Sequence, residues 1–397
     1  MKRIGLTKAL LAIAALLGGL LILMAAGVLV DGWRSFGHGP DEVRRARMTR
    51  SPQWRDGHFR NPQPIVNNLG KTLEGLFHGS PDGSPRAPLS VEMIPPARFL
   101  TAPATGLRIT WMGHSTVLIE IDGHRVLTDP NWSERASPLT WMGPRRWYPP
   151  VMPLAELPAL DAVLISHDHY DHLDRATVVA LNQRAVKFIV PLGVGAHLAY
   201  WGVPEARIVE LDWWQSADLG GLQVICAPAR HASGRFLRQD STLWGSFAFI
   251  GPQHRAFFSG DTGLFPGLKE IGARLGPFDV TMFEIGQYDA GWPDWHLGPE
   301  QAVTAHGWVR GRVLVPIHWG LLQLAYHSWT EPIERLLAAA DPAGATTLAP
   351  RPGQSVEPLA PPPRARWWPS LPWRTADQAP IVSGQASSPG PWSVTPP

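Results

Sequence analysis

The chain has 397 residues, 35 Lys and Arg against 33 Asp and Glu, and a formal charge of +2. So near a balance leaves no basic face or stripe for nucleic acid, which is excluded as the expected partner. A hydrophobic fraction of 44% supports a substantial core in one or two domains, and a single cysteine, Cys226, rules out an internal disulfide.

At the start of the chain Lys2, Arg3 and Lys8 flank an uncharged run over residues 9–30. About 20 apolar residues span a bilayer, whereas a signal peptide has a shorter core of about 7–15. Ala25-Ala26-Gly27 is a poor cleavage site, so residues 1–30 read as an uncleaved transmembrane anchor in preference to a signal. Arg34, Arg44, Arg45 and Arg47 nearly balance the basic residues before the span. A short basic N-terminus favours the cytoplasm, which puts the rest of the chain on the extracytoplasmic side. Residues 31–105 are polar and proline-rich and read as an arm with a few short turns. Beyond residue 350 the composition shifts to Pro, Ser, Ala and Gln, so residues 351–397 read as a disordered tail.

Between these ends, over residues 106–350, strands and helices alternate. Residues 107–111, 116–121 and 125–128 read as strands, with Asp122-Gly123 as a hairpin turn. Short apolar runs at 162–166, 187–190, 207–211, 222–227, 256–259, 280–285 and 312–317 have the character of strands buried on both faces. Cys226 lies in one of them and reads as a small buried hydrophobe. Residues 175–181, 194–201, 265–274 and 299–306 read as helices, the last with Pro299 in its first turn. The two halves resemble each other, which predicts an α/β fold of two facing sheets with helices outside.

The chemistry concentrates in His167-Asp168-His169-Tyr170-Asp171-His172, directly after the predicted strand at 162–166. Alternation puts His167 and His169 on one side, while Asp171 and His172 project from the following turn. Imidazoles and a carboxylate this close suit zinc, although iron and manganese accept the same donors. Three later strand ends add His231, Asp261 (in Ser259-Gly260-Asp261-Thr262-Gly263) and His318.

This order, HxHxDH then His, Asp and His, resembles the metallo-β-lactamase superfamily. The resemblance implies an αββα sandwich with two Zn2+ at one edge of the sheets. His167, His169, His231 and Asp261 would hold one zinc, and Asp171, His172, Asp261 and His318 the other. Asp129, in Leu127-Thr128-Asp129-Pro130, would orient a ligand from behind, as would His114. Hydrolysis would proceed by a hydroxide shared between the metals.

A longer match, over residues 108–332, is to the N-acylphosphatidylethanolamine-hydrolysing phospholipase D branch. It is carried by Gly113-His114-Ser115-Thr116, Met142-Gly143-Pro144-Arg145-Arg146, Glu210-Leu211-Asp212-Trp213-Trp214, Leu243-Trp244-Gly245-Ser246, Gly276-Pro277-Phe278-Asp279 and Ile317-His318-Trp319-Gly320. The branch implies cleavage of a membrane phospholipid on the headgroup side. Asp171, Asp261 and His296 are then the expected catalytic residues. His296 and Arg235 are the expected contacts to the phosphate. One departure is Ala232, where the mammalian branch has a tryptophan, and this leaves substrate choice open. Trp132, Trp141, Trp147 and Tyr148, with Arg145 and Arg146, form a loop whose composition suits a lipid surface. The rival readings are a lactonase or small-phosphodiester hydrolase on the same site, and a membrane-tethered module with a structural metal.

Overall fold

Asp122 and Gly123 adopt positive φ angles of 49° and 87°, the conformation a two-residue hairpin requires. They fold Thr116–Ile121 back onto His124–Thr128 with Ile121 opposite His124. In the computed structural model, which describes residues 2–383, this hairpin belongs to the first of two seven-stranded sheets. That sheet runs Ser355–Val356, Leu107–Gly113, Thr116–Ile121, His124–Thr128, Ala162–Leu164, Lys187–Pro191, Ile208–Leu211. The second runs Thr346–Thr347, Gly311–Ile317, Phe278–Glu284, Arg255–Phe258, Ser246–Ile250, Gln223–Ala227, Ser216–Asp218.

Alternation along the strands builds the layers. Val117, Ile119 and Ile121 point into the core shared with Phe247, Phe249 and Phe257 of the facing sheet. Leu118 points the other way, into a second core with Leu127, Phe188 and Val178. The helices are α1 (Lys2–Gly27), α2 (Glu42–Met48), α3 (Leu69–His78), α4 (Arg175–Leu181), α5 (Gly195–Tyr200), α6 (Gly267–Leu275), α7 (Pro299–Trp308) and α8 (Glu331–Ala340). α4 and α5 bury Val178, Leu181 and Leu198 on the outer face of the first sheet, while α6, α7 and α8 bury Leu268, Ala302 and Ile333 in the core of the second. The predicted αββα sandwich is the observed one. Cys226 is fully buried inside it.

The two ends differ from the sequence expectation. The arm is more ordered than a few turns, because it carries α2 and α3. The predicted tail starts later than residue 351. Ser355–Val356 adds an edge strand to Leu107–Gly113, and Trp368 is buried with its indole N–H donated to Glu334 Oε1 at 2.8 Å. Trp367 lies among Trp111, Trp319 and Trp329. Tryptophans bury enough area to pin a proline-rich segment that composition alone reads as unstructured. The rest of that expectation, residues 384–397, lies outside the described residues.

At the N-terminus α1 continues through one further turn, so that Leu10–Gly32 forms an apolar span that stands clear of the protein along its length and is buried only at its last residue, Gly32. Its end is tied down, because Asp31 Oδ2 accepts hydrogen bonds from Thr140 N (2.7 Å) and Thr140 Oγ1 (2.9 Å).

Candidate metal centre

Every candidate ligand sits just beyond the C-terminal end of a strand, so both sheets deliver side chains to one edge. His114 follows Leu107–Gly113, and Asp129 follows His124–Thr128. The His167–His172 loop follows Ala162–Leu164, and His231 follows Gln223–Ala227. Asp261 follows Arg255–Phe258, and His318 follows Gly311–Ile317. Rigid strand ends set positions more precisely than free loops do. His114, Asp129 and His318 have positive φ (52°, 37° and 62°). Such strain in non-glycine residues persists only where the surroundings enforce it. Gly260 is needed for room as well as for its φ of 54°, since a Cβ there would lie 2.7 Å from Ser166 Cβ.

The side chains converge in two groups. His167, His169 and His231 bring ring nitrogens together, with His167 Nε2 2.9 Å and His231 Nε2 3.4 Å from His169 Nδ1. His114, Asp171, His172 and His318 form the other group. Asp171 Oδ2 lies 2.9 Å from His114 Nε2, 3.3 Å from His172 Nε2 and 3.4 Å from His318 Nε2. Asp261 Oδ2 stands between them. It is 3.0 and 3.1 Å from His172 and His318 Nε2, and 3.8 Å from Nε2 of both His167 and His231.

The imidazoles are oriented from behind. Asp129 Oδ2 accepts from His172 Nδ1 at 2.7 Å, and the same carboxylate accepts from Ser166 N and Oγ at 2.6 Å. His231 Nδ1 donates to Trp295 O at 2.8 Å. These two rings therefore turn their Nε2 lone pairs inward, which is how buried metal-binding histidines are held. Burial pushes His167 and His231 well below the usual imidazole range. For Asp261 burial opposes ionisation, but His172 and His318 outweigh it and hold the carboxyl well below its usual range.

This donor set fits a cation. Nitrogens that face one another at 2.9–3.4 Å in a buried pocket cannot all satisfy each other with protons. Asp261 Oδ1 is buried with no hydrogen-bond partner, and a buried unpaired carboxylate oxygen costs free energy unless something positive meets it. Imidazole and carboxylate donors suit a divalent metal ion.

Glu284 was missed by the sequence reading. It is fully buried, and its Oε2 lies 2.6 Å from His296 Nδ1 and 3.4 Å from His318 Nδ1. Its other oxygen accepts from the backbone N–H of Thr262. The available signal was an acid ending an otherwise apolar strand run, the same position that marks Asp261 and His318. His296 itself lies beside the cluster, its ring centroid 5.2 Å from that of His318.

Two expectations need correction. Arg235 is no phosphate contact. Its guanidinium is buried and donates to the carbonyls of Asp168 (2.7 Å), Leu173 (3.0 Å) and Ser35 (2.6 and 3.1 Å). It also stacks on Tyr170 at 4.1 Å, so it braces the His167–His172 loop from below. The aromatic loop is mostly packed. Trp132 donates to Met152 O, Trp147 packs edge-on to Trp329, Tyr148 is buried, and Arg146 donates to backbone carbonyls. Of its aromatics, Trp141 alone is largely exposed.

The beta-lactamase superfamily domain matches residues 124–319. An uncharacterized protein of Mycobacterium tuberculosis is 51% identical over 334 residues, covering 82% of this chain and 89% of that one. The N-acyl-phosphatidylethanolamine-hydrolyzing phospholipase D 1 of Caenorhabditis elegans is 35% identical over 285 residues, covering 66% of this chain and 80% of that one. Among solved structures, the isothiocyanate hydrolase from Delia radicum gut bacteria has a TM-score of 0.51 at 19% identity, covering 63% of this chain and 98% of its own. At that identity the likeness concerns the fold alone.

Proposed function

The chain belongs to the beta-lactamase superfamily, in the branch of the N-acyl-phosphatidylethanolamine-hydrolyzing phospholipases D, and from that premise we propose that this metal-dependent hydrolase is a zinc phosphodiesterase cleaving the headgroup ester of a membrane phospholipid. The observation that carries the reading is Asp261 Oδ2 standing between two histidine clusters, the geometry of a bridging carboxylate.

In this reading His167, His169 and His231 would hold one metal, Asp171, His172 and His318 would hold the other, and Asp261 would serve both. When bound, the metal pair supplies Lewis acidity and makes hydroxide available at neutral pH. The chain's own residues do the rest. Asp129 and Trp295 O fix the tautomers of His172 and His231. His114, 2.9 Å from Asp171, keeps that carboxylate aimed inward. Glu284 accepts the Nδ1 proton of His296 and leaves Nε2 to face substrate. As the new phosphorus–oxygen bond forms and the bond to the headgroup oxygen breaks, His296 passes the proton lost by the attacking water to the leaving oxygen. α1 would span the membrane with its short basic start in the cytoplasm, and the catalytic domain would lie on the extracytoplasmic side.

The test is a product assay. Zinc-loaded full-length protein is incubated with an N-acylphosphatidylethanolamine, and the products are resolved by mass spectrometry. Phosphatidic acid and N-acylethanolamine from the wild type, absent with Asp171→Asn, are the expected result. No turnover with two metals bound would defeat the lipid assignment and turn the search to lactones and small phosphodiesters.

A further inference from the structure

Two exposed apolar surfaces adjoin the metal centre. The first is the turn joining the two-residue strands Gly234–Arg235 and Arg238–Gln239, just after His231. At its tip Phe236 and Leu237 are 55% and 82% exposed. Phe236 stacks on Phe36 with ring centroids 4.2 Å apart. The Phe36 N–H donates to Gly32 O at 3.0 Å, so Phe36 stands one helical turn, about 5 Å, beyond the apolar span. Trp33 and Trp141 are also exposed at this end, and the Asp31–Thr140 hydrogen bonds fix the span to the domain here. Tryptophan at the end of an apolar span marks the membrane–water boundary. The tip therefore stands at the depth where the span leaves the bilayer.

The second surface is α3. Leu69, Leu73, Leu76 and Phe77 recur at helical spacing and form one stripe, and all four are exposed, Phe77 to 75%. A ten-residue helix is unstable alone in water and needs its apolar face covered. The side of α3 that packs is the opposite kind of surface, Gly75, where a Cβ would come within 2.2 Å of Tyr326. Hydrogen bonds seat the helix on the loops that follow Glu284 and His318. Asn68 N–H donates to Gly291 O and Ser80 N–H to Tyr326 O, both at 2.7 Å.

We infer that these two faces are a bilayer-docking surface, by which the catalytic domain itself, and not α1 alone, rests on lipid. Phe236 and Leu237 enter the interfacial layer next to α1, and the stripe of α3 enters it beside the loops of the metal centre. The inference rests on reading α1 as a membrane span. It does not depend on which ester is cleaved.

Because Cys226 is the single cysteine and is buried, one introduced cysteine can be labelled selectively. Full-length Leu237→Cys, Phe77→Cys and Gln253→Cys carry an environment-sensitive fluorophore in phosphatidylcholine–phosphatidylglycerol vesicles. Gln253 lies in an exposed turn at the strand ends away from Asp261. The expected result is a blue shift at Leu237 and Phe77 and several-fold stronger quenching by lipid-borne nitroxide than at Gln253. Vesicle flotation separates the failures. A chain that does not float overturns the membrane span and this inference with it. A floating chain whose two labels match Gln253 overturns this inference alone. Protection that rises with protein concentration in detergent, without nitroxide quenching, assigns the faces to a second copy and likewise overturns it.

Discussion

Glu284 Oε2 lies 2.6 Å from His296 Nδ1 and 3.4 Å from His318 Nδ1, so one buried carboxylate ties the histidine proposed to meet the leaving group to a histidine proposed to hold metal. Glu284→Gln keeps the shape and removes the charge. We expect kcat to fall about 100-fold with KM nearly unchanged, the loss typical of a misdirected proton-transfer group. Two metals per chain by elemental analysis should remain. Loss of one metal would move Glu284 from positioning His296 to supporting His318.

Asp129 grips His172 at 2.7 Å from the side away from the cluster. Asp129→Ala frees the ring to turn and leaves Ser166 N and Oγ without their acceptor. Zinc affinity should drop by about 10–100-fold, as it does when such supporting carboxylates are removed elsewhere. Competition with a chromophoric chelator measures this directly. An unchanged affinity would show that packing alone orients His172.

Metal removal should destabilise the fold as well as abolish turnover. Without a cation the inward-facing nitrogens and Asp261 Oδ1 have no adequate partner. At a free zinc concentration of 100 times Kd, binding adds about 2.7 kcal/mol to stability. Calorimetry with and without chelator should show a lowered Tm that zinc restores. Equal Tm values would contradict a metal-dependent centre.

Arg235 separates bracing from substrate contact. Arg235→Met removes four hydrogen bonds to carbonyls, two of them buried. Hydrogen bonds from a charged donor contribute about 1.5–3 kcal/mol each, not additively, so Tm should fall by many degrees. KM of the remaining folded fraction should stay close to wild type. A large rise in KM at unchanged Tm would restore the phosphate-contact role.

His306 gives a pH signature away from the metal centre. Burial holds it at about 4, against an ordinary 6.5, and its Nδ1 meets Thr281 Oγ1 at 2.8 Å. The folded protein thus takes up this proton less readily than the unfolded chain. Its stabilising share is full above pH 6.5 and is lost as pH falls toward about 4. At pH 5 that loss is about 2 kcal/mol. His306→Gln should flatten the decline of Tm between pH 6.5 and pH 4, and a parallel decline in both proteins would refute it.

Much of the fold was legible because its strands are short apolar runs ending in recognisable chemistry. His167, His169, Asp171, His172, His231, Asp261 and His318 all come together at one sheet edge. Less visible was whatever depends on contacts between distant segments. Arg235 reads in sequence as a free cation, and only the fold shows carbonyls consuming its donors. Glu284 carries no motif, since its role comes from a partner twelve residues on and another in a neighbouring strand's loop. The segment from Arg351 to Ser383 looked too polar to pack, yet Trp367 and Trp368 outweigh its prolines.

Arg230, one residue before His231, binds Pro64 O at 2.5 Å and Ser383 Oγ at 2.7 Å, and pairs with Asp294 at 2.8 Å. Those partners come from the arm before the sandwich, from the loop after Glu284 and from the last described residue. In order of synthesis, Pro64 precedes Arg230 by 166 residues and Ser383 follows it by 153, so the surroundings of His231 stay incomplete until residue 383 has left the ribosome. A nascent chain halted between residues 318 and 383 therefore carries every candidate ligand without the full clasp that steadies one of them.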